Sequence, residues 1–207
     1  MLRAFASPRV WVVLLLSFPA VALGQATTAP VDASTPKGAL HLADATIPEG
    51  GMDTALKFYH ATSARDRELA RCSAGVDVAC SHLEEAVLQK FGRQTADDAI
   101  HILGSQVGSD IDAATEKVDG AKALIQWKGE EEPMHMIRVG GDWKVDLTTQ
   151  LQGMSEQSVA QYAEFLKHLA VGADRMADQV TSGKLATAKD LLDACKAEHE
   201  KLLKMNQ

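Results

Sequence analysis

The sequence predicts an α+β fold: helices first, then an antiparallel sheet with one dry face, then a C-terminal helical hairpin. Three observations carry that expectation. Apolar residues recur at helical spacing on both sides of residues 120–148. Within that interval three short segments alternate apolar and polar, and Gly140-Gly141 separates two of them as a hairpin turn would. After Gly153 the period returns to that of a helix and stays there.

Length and composition set the outer limits. A chain of 207 residues, 46% hydrophobic and 24% charged, suits one globular domain with an appendage and is too apolar for wholesale disorder. With 21 basic and 28 acidic residues its formal charge is −7. No Lys/Arg cluster is present to neutralise phosphates, which argues against a nucleic-acid role. The same charge disfavours an anionic membrane surface.

The first elements concern address rather than fold. Arg3 and Arg9 precede the apolar run Val10 to Leu16, and Pro19 is followed by Ala20-Val21-Ala22-Leu23-Gly24. A basic start, a short apolar stretch and a small-residue ending mark residues 1–24 as a cleavable signal peptide, hence a secreted or periplasmic protein. The run falls short of the roughly 20 residues that span a bilayer. Residues 25–50 are rich in Ala, Thr and Pro, including Pro30, Pro36 and Pro48, and read as a flexible linker.

Residues 51–153 form the expected α+β domain. Its first helix runs from about Met52 to Arg71, with Met52, Ala55, Leu56, Tyr59 and Ser63 on one stripe. A second starts at the capping box Ser81-x-x-Glu84, carries Leu83, Val87 and Phe91, and stops at Gly92. A short third helix after Thr95 holds Ala99, Ile100 and Leu103, and residues 104–119 contain a loop and an opening strand.

The three alternating segments are Ala121 to Trp127, Met134 to Val139 and Trp143 to Leu147. Turn-derived register sets Arg138 opposite Trp143, Met136 opposite Val145 and Met134 opposite Leu147; one strand back, Trp127 meets Met134 and Ile125 meets Met136. Ala121, Ala123, Ile125, Trp127, Met134, Met136, Trp143, Val145 and Leu147 then share a dry face, with Arg138 its lone polar member. Glu130-Glu131-Glu132 makes a solvated hairpin tip. Residues 154–207 form the helical hairpin. Ser155 caps a helix striped by Val159, Tyr162, Ala163, Leu166, Leu169, Ala170, Ala173, Met176, Ala177 and Val180, Gly183 breaks it, and Leu185, Ala188, Leu192, Cys195 and Leu202 line the return helix.

The order of helices, then a meander closing on Val139-Gly140-Gly141-Asp142-Trp143-Lys144-Val145-Asp146-Leu147, resembles the nuclear transport factor two-like superfamily over about residues 52–148. That superfamily has a curved-sheet cone, shared with ketosteroid isomerase and scytalone dehydratase. The resemblance implies that helices pack on a concave sheet face. The dry face then lines a core or cavity, with Tyr59, Trp127, Met136, Arg138 and Trp143 as candidate ligand-lining residues. It also makes an isomerase- or dehydratase-type enzyme the alternative to a non-catalytic binding module. Such an enzyme needs a general base in the cavity, and the registered strands put no Asp, Glu or His there.

Other chemistry is thinly represented. His135 opposes Asp146 on the polar face, an arrangement that suits a surface ion pair or a proton-transfer couple. Arg138 beside Trp143 suits a cation–π stack or a ligand carboxylate. Cys195 with His199 and Asp97 with His101 are metal half-sites, and no motif supplies the remaining ligands, so neither a metal nor another cofactor is expected. There is no Gly-x-Ser-x-Gly nucleophile elbow.

Export favours disulfide pairing, and three cysteines leave at least one thiol free or paired between chains. On one continuous helix, Cys72 and Cys80 stand about 12 Å apart, beyond the roughly 7 Å limit for a bridge. Gly75 and a cap at Ser81 predict a loop instead, hence a Cys72–Cys80 disulfide with Cys195 reduced in the core. The function expected is a non-catalytic binding or interaction module of the cell envelope, holding a small apolar ligand or a protein partner. A homodimer through the long helix 156–181 is a third reading.

Overall fold

A computed structural model describes residues 33–103, 111–128, 130 and 132–205. The proposed signal peptide and the first part of the proposed linker lie outside these residues. In chain order the elements are α1 (Pro36–Ala55), a 3-10 turn at Leu56–Phe58, β1 (Tyr59–His60), α2 (Ala64–Phe91) and α3 (Arg93–Ile102). A second 3-10 turn at Ile111–Ala113 precedes β2 (Thr115–Asp119), β3 (Lys122–Gln126), β4 (Met134–Val139) and β5 (Asp142–Asp146). A short α4 (Leu147–Gln150) leads to α5 (Glu156–Thr181) and α6 (Ala188–Met205). The chain is α+β: N-terminal helices, a five-stranded mixed sheet and two C-terminal helices.

The expected linker is corrected from residue 36 onward, because α1 occupies it. Thr35 caps the helix by accepting from the Gly38 amide, and Pro36 sits in the first turn, where its missing N–H costs nothing. Ala39, Leu40, Ala43 and Ile47 form the buried stripe. Gly51, at φ 57°, takes a backbone conformation that side-chain-bearing residues rarely adopt and kinks the helix. The first helix expected at 52–71 is replaced by the end of α1, a turn, β1 and the start of α2.

α2 begins at Ser63, whose Oγ accepts from the Asp66 amide while Asp66 accepts from the Ser63 amide. It then runs unbroken through Gly75 and Ser81. Ser81 is no cap: its hydroxyl donates to the Asp77 carbonyl one turn back. Packing along α5 keeps the helix whole where local propensity alone would end it. Gly92 ends it, as the sequence indicates.

The sheet order is β1-β5-β4-β3-β2. β1 runs parallel to β5 and the other pairs are antiparallel, so the sheet is mixed. It is not strongly curled, which corrects the cone-like curvature. The β4–β5 register holds as expected at Met136↔Val145 and Arg138↔Trp143, with Gly140 and Gly141 both at positive φ in the turn. Between β3 and β4 the register lies two residues away from expectation, at Ile125↔Met134 and Ala123↔Met136. Trp127 has left the strand, its carbonyl accepting from the Glu130 amide. A slip of two preserves the faces. Ala123, Ile125, Met134, Met136, Trp143 and Val145 are all buried, while Ala121 is exposed at its turn. Leu147 opens α4 instead of pairing with Met134.

α1 touches β3 and β5; α2 packs on α1, α3 and α5; α6 packs on α3 and α5. α5 and α2 run in the same direction, since Glu68 meets Lys167, His82 meets Asp174 and Lys90 meets the Val180 carbonyl. α6 returns antiparallel to α5, with Cys195 against Met176 and Glu198 against Arg175. The α5 stripe is buried as expected from Val159 to Val180 except at half-buried Ala170; on α6 the buried set is Leu191, Cys195, Glu198 and Leu202, while the expected Leu185, Ala188 and Leu192 are half-buried.

Candidate functional site

Four of the five proposed ligand-lining residues are buried. Tyr59, Trp127, Met136 and Trp143 are all within the core. The Trp143 indole N–H donates to the Ser34 carbonyl at 2.9 Å, stapling the segment before α1 to the sheet, while the Trp127 Nε1 is buried with no protein acceptor. Arg138 faces Trp143 in register but is exposed, and its Nε donates to the Gly141 carbonyl at 3.0 Å across the turn. The His135–Asp146 couple is not formed. Asp146 caps α4, accepting from the Thr149 amide at 3.2 Å and the Thr149 hydroxyl at 2.6 Å, and the His135 amide donates to Gln150 Oε1.

A different carboxylate meets Tyr59. β1 carries this tyrosine into the interior, where its hydroxyl donates to Asp77 Oδ2 of α2 at 2.6 Å. Both residues are buried. Burial, and then the neighbouring Asp77, push the phenol well above its ordinary range, so it stays protonated. Nearby, Asp66 ties the β1–α2 corner to α4. Burial alone would raise its carboxyl, but hydrogen bonds from Ser63, Thr148 and Arg65 outweigh that and hold it below the usual value.

Two grooves open along the α2–α5 seam. One, of about 440 Å³, is lined by His82, Glu85, Gln89, Asp174, Asp178 and Thr181 over Ala86 and Ala177. His82 Nδ1 lies 3.4 Å from Asp174 Oδ1 across it. The other, of about 290 Å³ near the helix starts, has Leu69, Val159, Ala160 and Ala163 inside and Arg65, Glu68 and Glu156 around it. None of the proposed ligand-lining residues borders either groove. Sequence reasoning missed the polar one because its carboxylates sit on two helices some 90 residues apart, and no periodicity within either helix announces that the two pack together.

The thiols also depart from expectation. Cys72, Cys80 and Cys195 are free and buried. With α2 continuous, Cys72 and Cys80 stand about 12 Å apart along its axis, which rules out the expected bridge. Burial raises all three thiols, Cys195 to about 12, and Cys195 Sγ lies 3.6 Å from Met176 Sδ. Among the described residues, no group of three or more His, Cys, Asp or Glu is arranged to hold a metal, and no helix is long and apolar enough to cross a membrane. No family model, curated protein or solved structure matches the chain.

Proposed function

We propose that the chain is an exported, non-catalytic interaction module of the cell envelope that engages a protein partner through the polar α2–α5 groove. The observation carrying this reading is the groove itself: Glu85, Asp174 and Asp178 with His82, held on two long helices and open to solvent. Such a surface selects a cationic segment, one bearing Lys or Arg side chains. A small apolar ligand finds less support. The dry sheet face is packed with side chains, and the apolar groove, at about 290 Å³, lies at the lower edge of small-molecule sites. Export belongs to the proposal through Arg3, Arg9 and the apolar run, and membership of the nuclear transport factor two-like superfamily through the Val139–Leu147 hairpin. The Tyr59–Asp77 pair favours the enzyme alternative, since a buried acid and phenol can polarise a carbonyl. Both groups are enclosed by core residues, which leaves the pair a structural role.

The test is a titration with trilysine followed by amide chemical shifts. Movement centred on His82, Glu85, Asp174 and Asp178, weakening with salt and lost in Glu85→Gln/Asp174→Asn/Asp178→Asn, is the expected result. Shifts scattered over the whole acidic surface, or none at millimolar peptide, would overturn the reading.

A further inference from the structure

β2 is an outer strand of the sheet, and all five of its residues are exposed. β3 pairs with its inner side; among the described residues no strand pairs with its outer side. Val118 stands opposite Ala123 on the dry face, yet it is 50% exposed where Ala123 is 3%. Among the described residues, α1 reaches this edge at Glu116, whose carboxylate accepts from the Lys37 amide, and leaves Val118 uncovered. An edge strand presents unpaired N–H and C=O groups, and its side chains decide what can join it.

We propose that β2 pairs antiparallel with β2 of a second copy, about a two-fold axis normal to the sheet and midway between the two Val118 residues. Symmetry narrows the register sharply. A two-fold that sets identical antiparallel strands side by side keeps each face on its own side, so a residue meets only residues of its own parity. An axis at Glu116 or Asp119 would oppose two carboxylates, and one at Lys117 two ammoniums, each destabilising. With the axis at Val118, the two valines meet on the dry face. Lys117 of each copy then meets Asp119 of the other on the opposite face. Asp119, already opposite Lys122 of β3, comes to lie between two lysines. Glu116 falls opposite the turn glycine at position 120, which leaves it free to keep accepting from the Lys37 amide at the start of α1. Lys-Val-Asp is thus self-complementary about its centre, whereas its lysine discourages strands of unrelated sequence. The helix α5 offers no comparable face: its apolar stripe is covered by α2 and α6.

A ladder this short makes a small interface, so association is weak and concentration-dependent. Sedimentation velocity of the full chain up to the millimolar range should show a monomer–dimer equilibrium. Lys117→Asp and Asp119→Lys, each checked for native circular dichroism, should associate about tenfold or more weakly, because like charges now face each other twice. Mixed in equal amounts the two variants should regain the dimer, since every cross-strand contact is again Lys against Asp. If Lys122 prevents Asp119→Lys from folding, Val118→Asp and Val118→Lys make the same test at the axis: each alone repels its own copy and the mixture attracts. A wild type that stays monomeric throughout, a Lys117→Asp that dimerises like wild type, or mixed variants that fail to associate would each overturn the proposal.

Discussion

Replacing Glu84 with glutamine tests how the junction between α2 and α3 is held. Glu84 is buried on α2, and its Oε1 lies 2.5 Å from Nη1 of Arg93, the first residue of α3. Asp97 shares the same guanidinium at 3.7 Å. Burial pushes the Glu84 carboxyl up from 4.5 to about 7, although Arg93 pulls the other way. In the unfolded chain the group returns to its ordinary range, so between pH 4.5 and 7 the folded state binds the proton more often than the unfolded state. Stability from this group is therefore fully present below pH 4.5 and is lost as pH rises through 7. Each tenfold in proton affinity corresponds to about 1.4 kcal/mol, so the loss across that window is about 3 kcal/mol. Glutamine keeps the volume and an acceptor for Arg93 but cannot ionise. Urea melts near pH 4.5 and near pH 8 isolate the effect, because all other titrating groups are shared by the two proteins. The stability of Glu84→Gln relative to wild type should rise by about 3 kcal/mol between the two conditions. An unchanged difference would mean that Glu84 titrates in the folded chain where it does in the unfolded one, and that burial does not dominate its chemistry.

Two further outcomes follow from the core. Trp127→Ala and Trp143→Ala should each cost about 3–5 kcal/mol in a denaturant melt. Among the milder variants, Trp143→Phe should cost about 1 kcal/mol more than Trp127→Phe, because only the Trp143 indole donates a hydrogen bond; equal losses would contradict the Ser34 contact. Peptide mapping without reduction should return free thiol at Cys72, Cys80 and Cys195, slow to react until the chain is unfolded, and a Cys72–Cys80 peptide would contradict the continuity of α2.

The sheet was legible because alternation is a two-residue signal that survives errors of register. Ile125 and Met136 keep the same face whether they pair with each other or are displaced by two. The α1 helix was hidden because its packing rests partly on Ala39 and Ala43, which carry little hydrophobic signal, and because Pro36 looks like a loop marker when it is a helix starter. Gly75 and Ser81 read as a break for a related reason: local propensity is worth about 1 kcal/mol, and the burial of a whole helix face against α5 exceeds it. The true cap, Ser63 with Asp66, uses aspartate where the usual pattern has Glu or Gln. Asp77 gave no sign of being the partner of Tyr59, since their meeting depends on a two-residue strand that no periodicity can announce.

That two-residue strand governs the order in which the chain can assemble. β1 joins the sheet beside Val145 and Asp146, at the far end of the domain in sequence, and α2 leans on α5, which ends at Thr181. As the chain leaves the ribosome, α1, β1 and α2 emerge well before α5, and the face of α2 that α5 covers waits until residues 156–181 are made. Pairings this distant in sequence close slowly. In the interval the exposed helices are open to chaperones and to aggregation. A truncation before residue 156 leaves α2 without that neighbour, so the segment synthesised late decides whether the early one stays folded.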